Sequence, residues 1–203
     1  MISAPSMRGW VAVILTLAVL SGCRSASSGV AYYTLDALTA QTTPMPSAAA
    51  PAIGIGAVML PDYLDRPQLV MRTTPNALRI DEFHRWAGPL SETLPRVLAE
   101  NLMVLTGSVR IARQPWDVGF QPEILVSLQI YRFEGFSDGL VRLVTAVTLT
   151  DRRAGGESRT WTVDLQEKAG GSDYSDLVAA QSRLWAALSR QIAEAVLLVR
   201  QPG

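Results

Sequence analysis

The chain has 203 residues, with 18 basic side chains balanced by 18 acidic ones, one histidine and one cysteine. That length suits a single domain of ordinary size, and the charge balance argues against a nucleic-acid partner, which would require a basic face. One cysteine excludes an intrachain disulfide, and with one histidine beside it no zinc cluster of soft ligands can be built within the chain.

The N-terminus sets the compartment. Met7 and Arg8 lead, weakly basic, into an uncharged apolar run from Trp10 to Leu20. The run is too short to span a bilayer and suits the core of a signal peptide. It ends in Leu20-Ser21-Gly22-Cys23, which resembles the lipobox of bacterial lipoproteins. Small residues at Ser21 and Gly22 fit a peptidase cleft, and the Cys23 thiol takes a diacylglyceryl group before cleavage. An unpaired exported thiol would be a liability, whereas an acylated one is consumed. Arg24 is not the aspartate that retains many such lipoproteins in the inner membrane, so the resemblance implies the outer membrane, facing the periplasm. A diacylglyceryl group and an N-acyl chain together give stable anchoring. Residues 1–22 are therefore expected to be signal peptide, 23–52 a lipidated tether and linker, and 53–203 one domain. Removing 1–22 takes away Arg8 alone among charged side chains, and no polybasic tract remains for an anionic membrane surface, so the lipid has to anchor the chain.

Residues 24–31 are small and polar and read as the tether, and Tyr32 to Leu35 reads as a short first strand. Residues 36–52, punctuated by Pro44, Pro46 and Pro51, bury too little to offset their ordering entropy and read as a loop or linker. Ile53, Ile55 and Ala57 alternate into a strand. Leu69 to Arg72 forms another, with Asn76 to Ile80 as its hairpin partner across Thr74-Pro75-Asn76. Leu90, Leu94, Val97, Leu98, Leu102 and Leu105 recur at helical spacing between Pro89 and Thr106. Pro95 inside that pattern either kinks the helix or occupies its first position after a preliminary turn. Gly107 is the expected stop.

Three alternating strands follow. Ile124 to Ile130, Val141 to Leu149 and Trp161 to Leu165 form a meander, turned at Glu134–Gly139 and at Gly155-Gly156. From Tyr174 to Val199, Leu177, Leu184, Leu188, Ile192, Val196 and Val199 keep a helical stripe, with Gln181 in the gap. The pattern predicts an α+β fold: a mainly antiparallel sheet with two helices packed on one face.

Chemical motifs are few. Gly135-Phe136-Ser137-Asp138-Gly139 matches G-x-S-x-G, but a nucleophile elbow needs a strand-to-helix turn. Both flanks here read as strands, and His84 precedes Ser137, opposite to the order in hydrolases with this elbow. Gly54-Ile55-Gly56 lacks the third glycine of a dinucleotide fingerprint and no helix follows it; these glycines are expected to let a neighbouring backbone approach. Asp62 and Asp65 read as structural acids rather than a catalytic pair. No enzyme activity, cofactor or metal is expected. Trp86 and Trp116, beside prolines, either anchor a partner or plug the open end of a small core.

Several blocks, taken in order, resemble one known family. They are the lipobox, Tyr32-Tyr33-Thr34-Leu35, Leu60-Pro61-Asp62-Tyr63-Leu64-Asp65-Arg66-Pro67-Gln68, Phe83-His84-Arg85-Trp86-Ala87-Gly88-Pro89-Leu90, Leu98-Ala99-Glu100-Asn101-Leu102 and Gln114-Pro115-Trp116. Over nearly the whole mature chain they resemble the PqiC family of ABC-type transport auxiliary lipoproteins. The resemblance implies function by partnership with a PqiB-like, periplasm-spanning MCE-domain protein, of the type that forms hydrophobic tunnels for lipid, and with its inner-membrane component. On that reading Pro61, Tyr63, Leu64, Asp65, Arg66 and Pro67, the Arg85-Trp86 loop and Trp116 shape the docking face; the alternative is that these blocks only brace the sheet. Two other functions remain open: an outer-membrane assembly or secretion pilot, and an envelope hydrolase using Ser137. A ring-shaped homo-oligomer would suit docking onto a tubular partner.

Overall fold

The structure is a computed structural model that describes residues 29–39, 50–153 and 155–199. The signal segment, the lipobox from Leu20 to Cys23 and most of the expected linker lie outside the described residues. Within them the chain forms β1 (Ala31–Tyr33), β2 (Ile53–Met59), β3 (Gln68–Thr74), β4 (Ala77–Trp86), helix α1 (Leu90–Thr106), β5 (Ile111–Arg113), β6 (Ile124–Phe136), β7 (Leu140–Asp151), β8 (Glu157–Lys168) and helix α2 (Tyr174–Val199).

β6 organises the sheet. Along one edge it pairs antiparallel with β7, from Ile124 opposite Asp151 to Gly135 opposite Val141, and β7 pairs antiparallel with β8. Its other edge is shared. β2 runs parallel to its first half, from Ile53 beside Ile124 to Met59 beside Gln129. β3 runs parallel to its last residues, Met71 beside Gly135 and Arg72 beside Phe136. The sheet forks there: β5 lies beyond β2, while β4 and then β1 lie beyond β3. The expected meander is present as the longest ladders, and the parallel pairings of β1, β2, β3 and β5 make the sheet mixed. Its β6–β7 turn is tighter than expected, because β6 continues through Glu134 to Phe136.

One face of this sheet is apolar and covered. Ile124, Val126, Leu128 and Ile130 of β6 and Val141, Leu143 and Val147 of β7 are buried, and both helices pack on the sheet. α1 contributes Leu90, Leu94, Val97, Leu98 and Leu102, all essentially fully buried. The helix is continuous from Leu90, so Pro95 lies inside it and the carbonyl of Ser91 goes without its usual helical donor. Gly107 ends it at φ 68°, its N–H bonded to the Met103 carbonyl at 3.1 Å, the left-handed stop that glycine accommodates. In α2 the stripe Leu177, Leu184, Leu188, Ile192 and Val196 faces inward together with Trp185, which packs on Phe133. Val199, expected on that stripe, is exposed at the helix end. Among the described residues no helix is long and apolar enough to cross a membrane.

Residues 36–38, placed in the linker by composition, lie across both helices. Leu35 is buried, the Asp36 N–H donates to Ser182 Oγ at 3.1 Å, and the Leu38 N–H donates to Asn101 Oδ1 at 2.7 Å. Asn101, fully buried in α1, donates through Nδ2 to Ser189 Oγ of α2 at 3.0 Å. Gly54 faces Pro122 and Trp116: a Cβ there would sit 2.8 Å from Pro122 Cβ and 3.3 Å from the Trp116 ring. The close neighbours of Gly54 are thus side chains rather than the backbone expected. Asn101→Ala removes the bond to Ser189 of α2 and strands the Leu38 N–H, so a loss of ~1–3 kcal/mol is expected. A lowered urea midpoint with an unchanged slope would register it.

Candidate docking site

The fork leaves a gap. Between Gln129, where β2 departs, and Gly135, where β3 arrives, that edge of β6 has no strand neighbour. The chain that bridges the gap is the segment from Leu60 to Pro67, which joins β2 to β3. It coils through bonds from the Leu64 N–H to the Pro61 carbonyl and from the Arg66 N–H to the Leu64 carbonyl, each 2.9 Å. Tyr63 reaches from it into the gap, its hydroxyl donating to Glu134 Oε2 at 2.5 Å.

Glu134 is fully buried, and the register slips between Ile130 and Arg132 just before it. After that slip Phe133 takes the core side against Trp185 and Glu134 takes the opposite side. There Arg72 of β3 ion-pairs with it, Arg132 stands 3.5 Å away, and the Arg72 guanidinium lies 5.8 Å from the Tyr63 ring centroid. Burial, then the bond to Glu134, pushes the Tyr63 phenol up to about 12. The bond to Glu134 raises Arg72 above its ordinary range. A buried carboxylate this well matched is costly to break rather than a large net gain in stability.

A second polar cluster shapes β4. Asp81 Oδ1 accepts the backbone N–H groups of Phe83 and His84 at 2.9 and 3.1 Å and lies 2.8 Å from His84 Nδ1. Tyr174 of α2 donates its hydroxyl to Asp81 Oδ2 at 2.9 Å and stacks on the His84 ring at 4.1 Å. Burial alone would raise the Asp81 carboxyl, but the bonds from His84, the Phe83 backbone and Tyr174 overcome it and hold the group at about 2. Burial, then Asp81, pushes Tyr174 up to about 12. The ladder with β3 jumps here from Asp81 to Arg85, looping out Glu82, Phe83 and His84. Because of that bulge β4 runs on to Trp86. Arg85 and Trp86 therefore end a strand, where a loop was expected.

The end of β4 meets the bridging segment. The Trp86 N–H bonds to the Pro67 carbonyl and the Ala87 N–H to the Tyr33 carbonyl, both at 2.7 Å. An open cleft of about 530 Å³ results, lined by Asp65, Arg66 and Pro67 on one side and by Trp86 to Pro89 and Ser91 on the other. Arg66 Nε is buried without a hydrogen-bond partner among the described residues.

Of the residues expected to dock a partner, the structure gathers Asp65, Arg66, Pro67 and Trp86 at this cleft. Trp86 is 5% exposed and is also part of the core. Tyr63 turns inward to Glu134, Leu64 is buried in the core and Pro61 supports the coil. Arg85 pairs with Glu82 at 3.1 Å. Trp116 stands apart, over Gly54 and edge-on to Phe120. Glu134, Arg72, Asp81 and Tyr174 were missed by sequence reasoning. The visible signal was the charge of Glu134 directly after Phe133, which marks the end of the alternation in β6. Ser137 lies in the β6–β7 hairpin, where Gly139 closes the turn onto the Phe136 carbonyl.

A model of the ABC-type transport auxiliary lipoprotein component matches residues 33–193. The chain belongs to that family. It is 25% identical over 190 residues to the intermembrane transport lipoprotein PqiC of Escherichia coli strain K12, covering 94% of this chain and 98% of that protein. The PqiC of Shigella flexneri matches to the same extent. The family expected from the sequence blocks is thus the one found. Two crystal structures share the fold. One is of an uncharacterized protein, with TM-score 0.69 and 23% identity over 83% of this chain and 99% of that one. The other is of a Xanthomonas campestris protein, with TM-score 0.64 and 17% identity over 83% and 95%.

Two outcomes test the polar framework of this lipoprotein. Glu134→Ala leaves the mostly buried Arg72 without its anion and is expected to cost ~3–5 kcal/mol, read from denaturant unfolding. Asp81 is held below its ordinary 3.8, so its contribution is full above that pH and is lost as the pH falls toward about 2. The stability gap between the native chain and Asp81→Asn should therefore close as the pH falls from 3.8 toward about 2, in melting curves taken at stepped pH.

Proposed function

We propose that this chain is a non-enzymatic lipoprotein subunit of an MCE-type, PqiABC-like intermembrane lipid transport system. Its acylated Cys23 holds it at the periplasmic face of the outer membrane, where it docks the far end of a periplasm-spanning, PqiB-like tunnel and supports membrane integrity. Membership of a lipoprotein family supports acylation, and Cys23 is the one cysteine in the chain able to carry it. The near end-to-end match to PqiC supports the transport role.

The observation that carries the docking reading is the cleft. Two blocks about twenty residues apart in sequence converge there, and Arg66 stands on its wall opposite Trp86. A guanidinium on the cleft wall offers several donors to a carboxylate or carbonyl of a partner seated there. Arginine and tryptophan are also the side chains that most often dominate protein interfaces.

The test is a crosslinked pull-down of the native lipidated protein from envelope membranes, with Cys23→Ser as the anchor control. Recovery of an MCE-domain protein is expected, and Arg66→Ala should weaken it by ~2 kcal/mol, about thirtyfold, while the melting transition stays in place. Recovery of outer-membrane channel or assembly proteins instead would assign the chain to piloting.

A further inference from the structure

A second surface lies on the far side of β4 from the cleft. β1 runs parallel to β4 with Tyr32 beside Arg85 and Tyr33 beside Trp86. Side chains alternate along a strand. The ladder with β1 stays in register from His84 to Trp86 despite the bulge toward β3, so Val30 and Phe83, one step back from Ala31 and His84, share a face with Tyr32 and Arg85. Tyr33, His84 and Trp86 take the opposite face, where His84 stacks on Tyr174 of α2. The outward face is apolar and open: Val30 is 41% exposed, Tyr32 65% and Phe83 54%. Its one cation, Arg85, is matched by Glu82 at 3.1 Å. The patch is thus neutral and aromatic, with a phenol at its rim. Amphipathic rings of this kind are enriched at the headgroup level of bilayers.

The position of the patch in the chain says what can cover it. Residues 24–30 separate Cys23 from β1, and even fully extended they reach no more than about 25 Å. A chain acylated at Cys23 therefore keeps Val30 within that distance of the bilayer surface. A short tether of this kind sets an effective concentration on the order of millimolar. A weak interfacial contact is then enough to orient the domain, although it would not recruit a free protein. We propose that the Val30, Tyr32 and Phe83 face is an interfacial membrane contact. It lays the outer side of the β1–β4 edge on the same lipid surface that receives the Cys23 acyl chains and leaves the cleft, on the other face of β4, open to the periplasm. The inference rests on acylation of Cys23.

The experiment uses the full lipidated protein in vesicles of phosphatidylethanolamine and phosphatidylglycerol. The native cysteine is consumed by lipid, so one introduced cysteine takes one nitroxide. Phe83→Cys reports on the patch, and Val118→Cys, at a fully exposed site in the connection from β5 to β6, serves as reference. The label at position 83 is expected to be relaxed several times more by oxygen than by an aqueous nickel chelate, and the label at 118 in the reverse order. Water-like relaxation at both positions, in protein that floats with the vesicles, would overturn the membrane contact alone. Spectral broadening at 83 that grows with protein density would overturn it in favour of a second copy on this face. Failure of the native chain to float, matching Cys23→Ser, would instead remove the anchoring reading and the contact with it.

Discussion

Everything distinctive in this fold follows from one strand having more edge than any single neighbour can pair. β6 is 13 residues long; β2 accompanies its beginning and β3 its end, and the stretch between them must find partners elsewhere. Unpaired backbone and a buried carboxylate in such a place would be costly. The segment from Leu60 to Pro67 resolves the problem by sending Tyr63 to Glu134 while β3 supplies Arg72. On the helix side, Gln181 of α2 donates to the Phe133 carbonyl at 3.2 Å. Once that segment is committed to the gap, Arg66 and Pro67 are carried to the end of β4, and the cleft exists as a by-product of completing the sheet.

This explains why the same sequence blocks hold residues that brace the sheet beside residues that line the cleft. Tyr63 and Leu64 brace; Asp65, Arg66 and Pro67, the next three residues, reach the surface. Trp86 belongs to both, with most of its ring in the core and its remaining edge on the cleft. A change in Glu134 would thus reach the cleft through Tyr63 without touching it, because Tyr63 and the cleft-lining Asp65 to Pro67 share one short segment. The second cluster does the same for the other wall. Asp81 ties off the bulge of β4 and, through Tyr174, fixes that strand to α2.

The helices, the stop at Gly107 and the strands of the meander were legible because each buries one face, and a buried face writes a period into the sequence; the start at Leu90 was not, since Pro95 also suits a first helical position. The fork was not. Ile53 beside Ile124 and Met71 beside Gly135 are pairings between distant segments, and a single sequence carries no trace of which apolar alternation sits beside which. β4 read as half its length because the bulge at Glu82 to His84 breaks the alternation and mimics a loop. At the site, the blocks around Arg66 and Trp86 were legible by resemblance. The inward turn of Tyr63 was not, since a tyrosine beside an aspartate in a proline-flanked stretch reads the same whether it faces water or a buried glutamate. Trp116 sets its ring beside Gly54 and Phe120 and does not line the cleft.

The direction of β1 has a mechanical meaning. It follows the proposed acylation site in the chain and runs parallel to β4, whose far end carries the cleft. A load pulling the anchor one way and a docked partner the other would pass along the length of both strands, straining their hydrogen bonds together rather than peeling them off one after another. The Tyr33 carbonyl on the Ala87 N–H, and beyond it Asp36 on Ser182 and Leu38 on Asn101, extend that seam from the sheet across both helices. Were the domain anchored at Cys23 and bound at the cleft, as proposed, tension between the two would run along this seam.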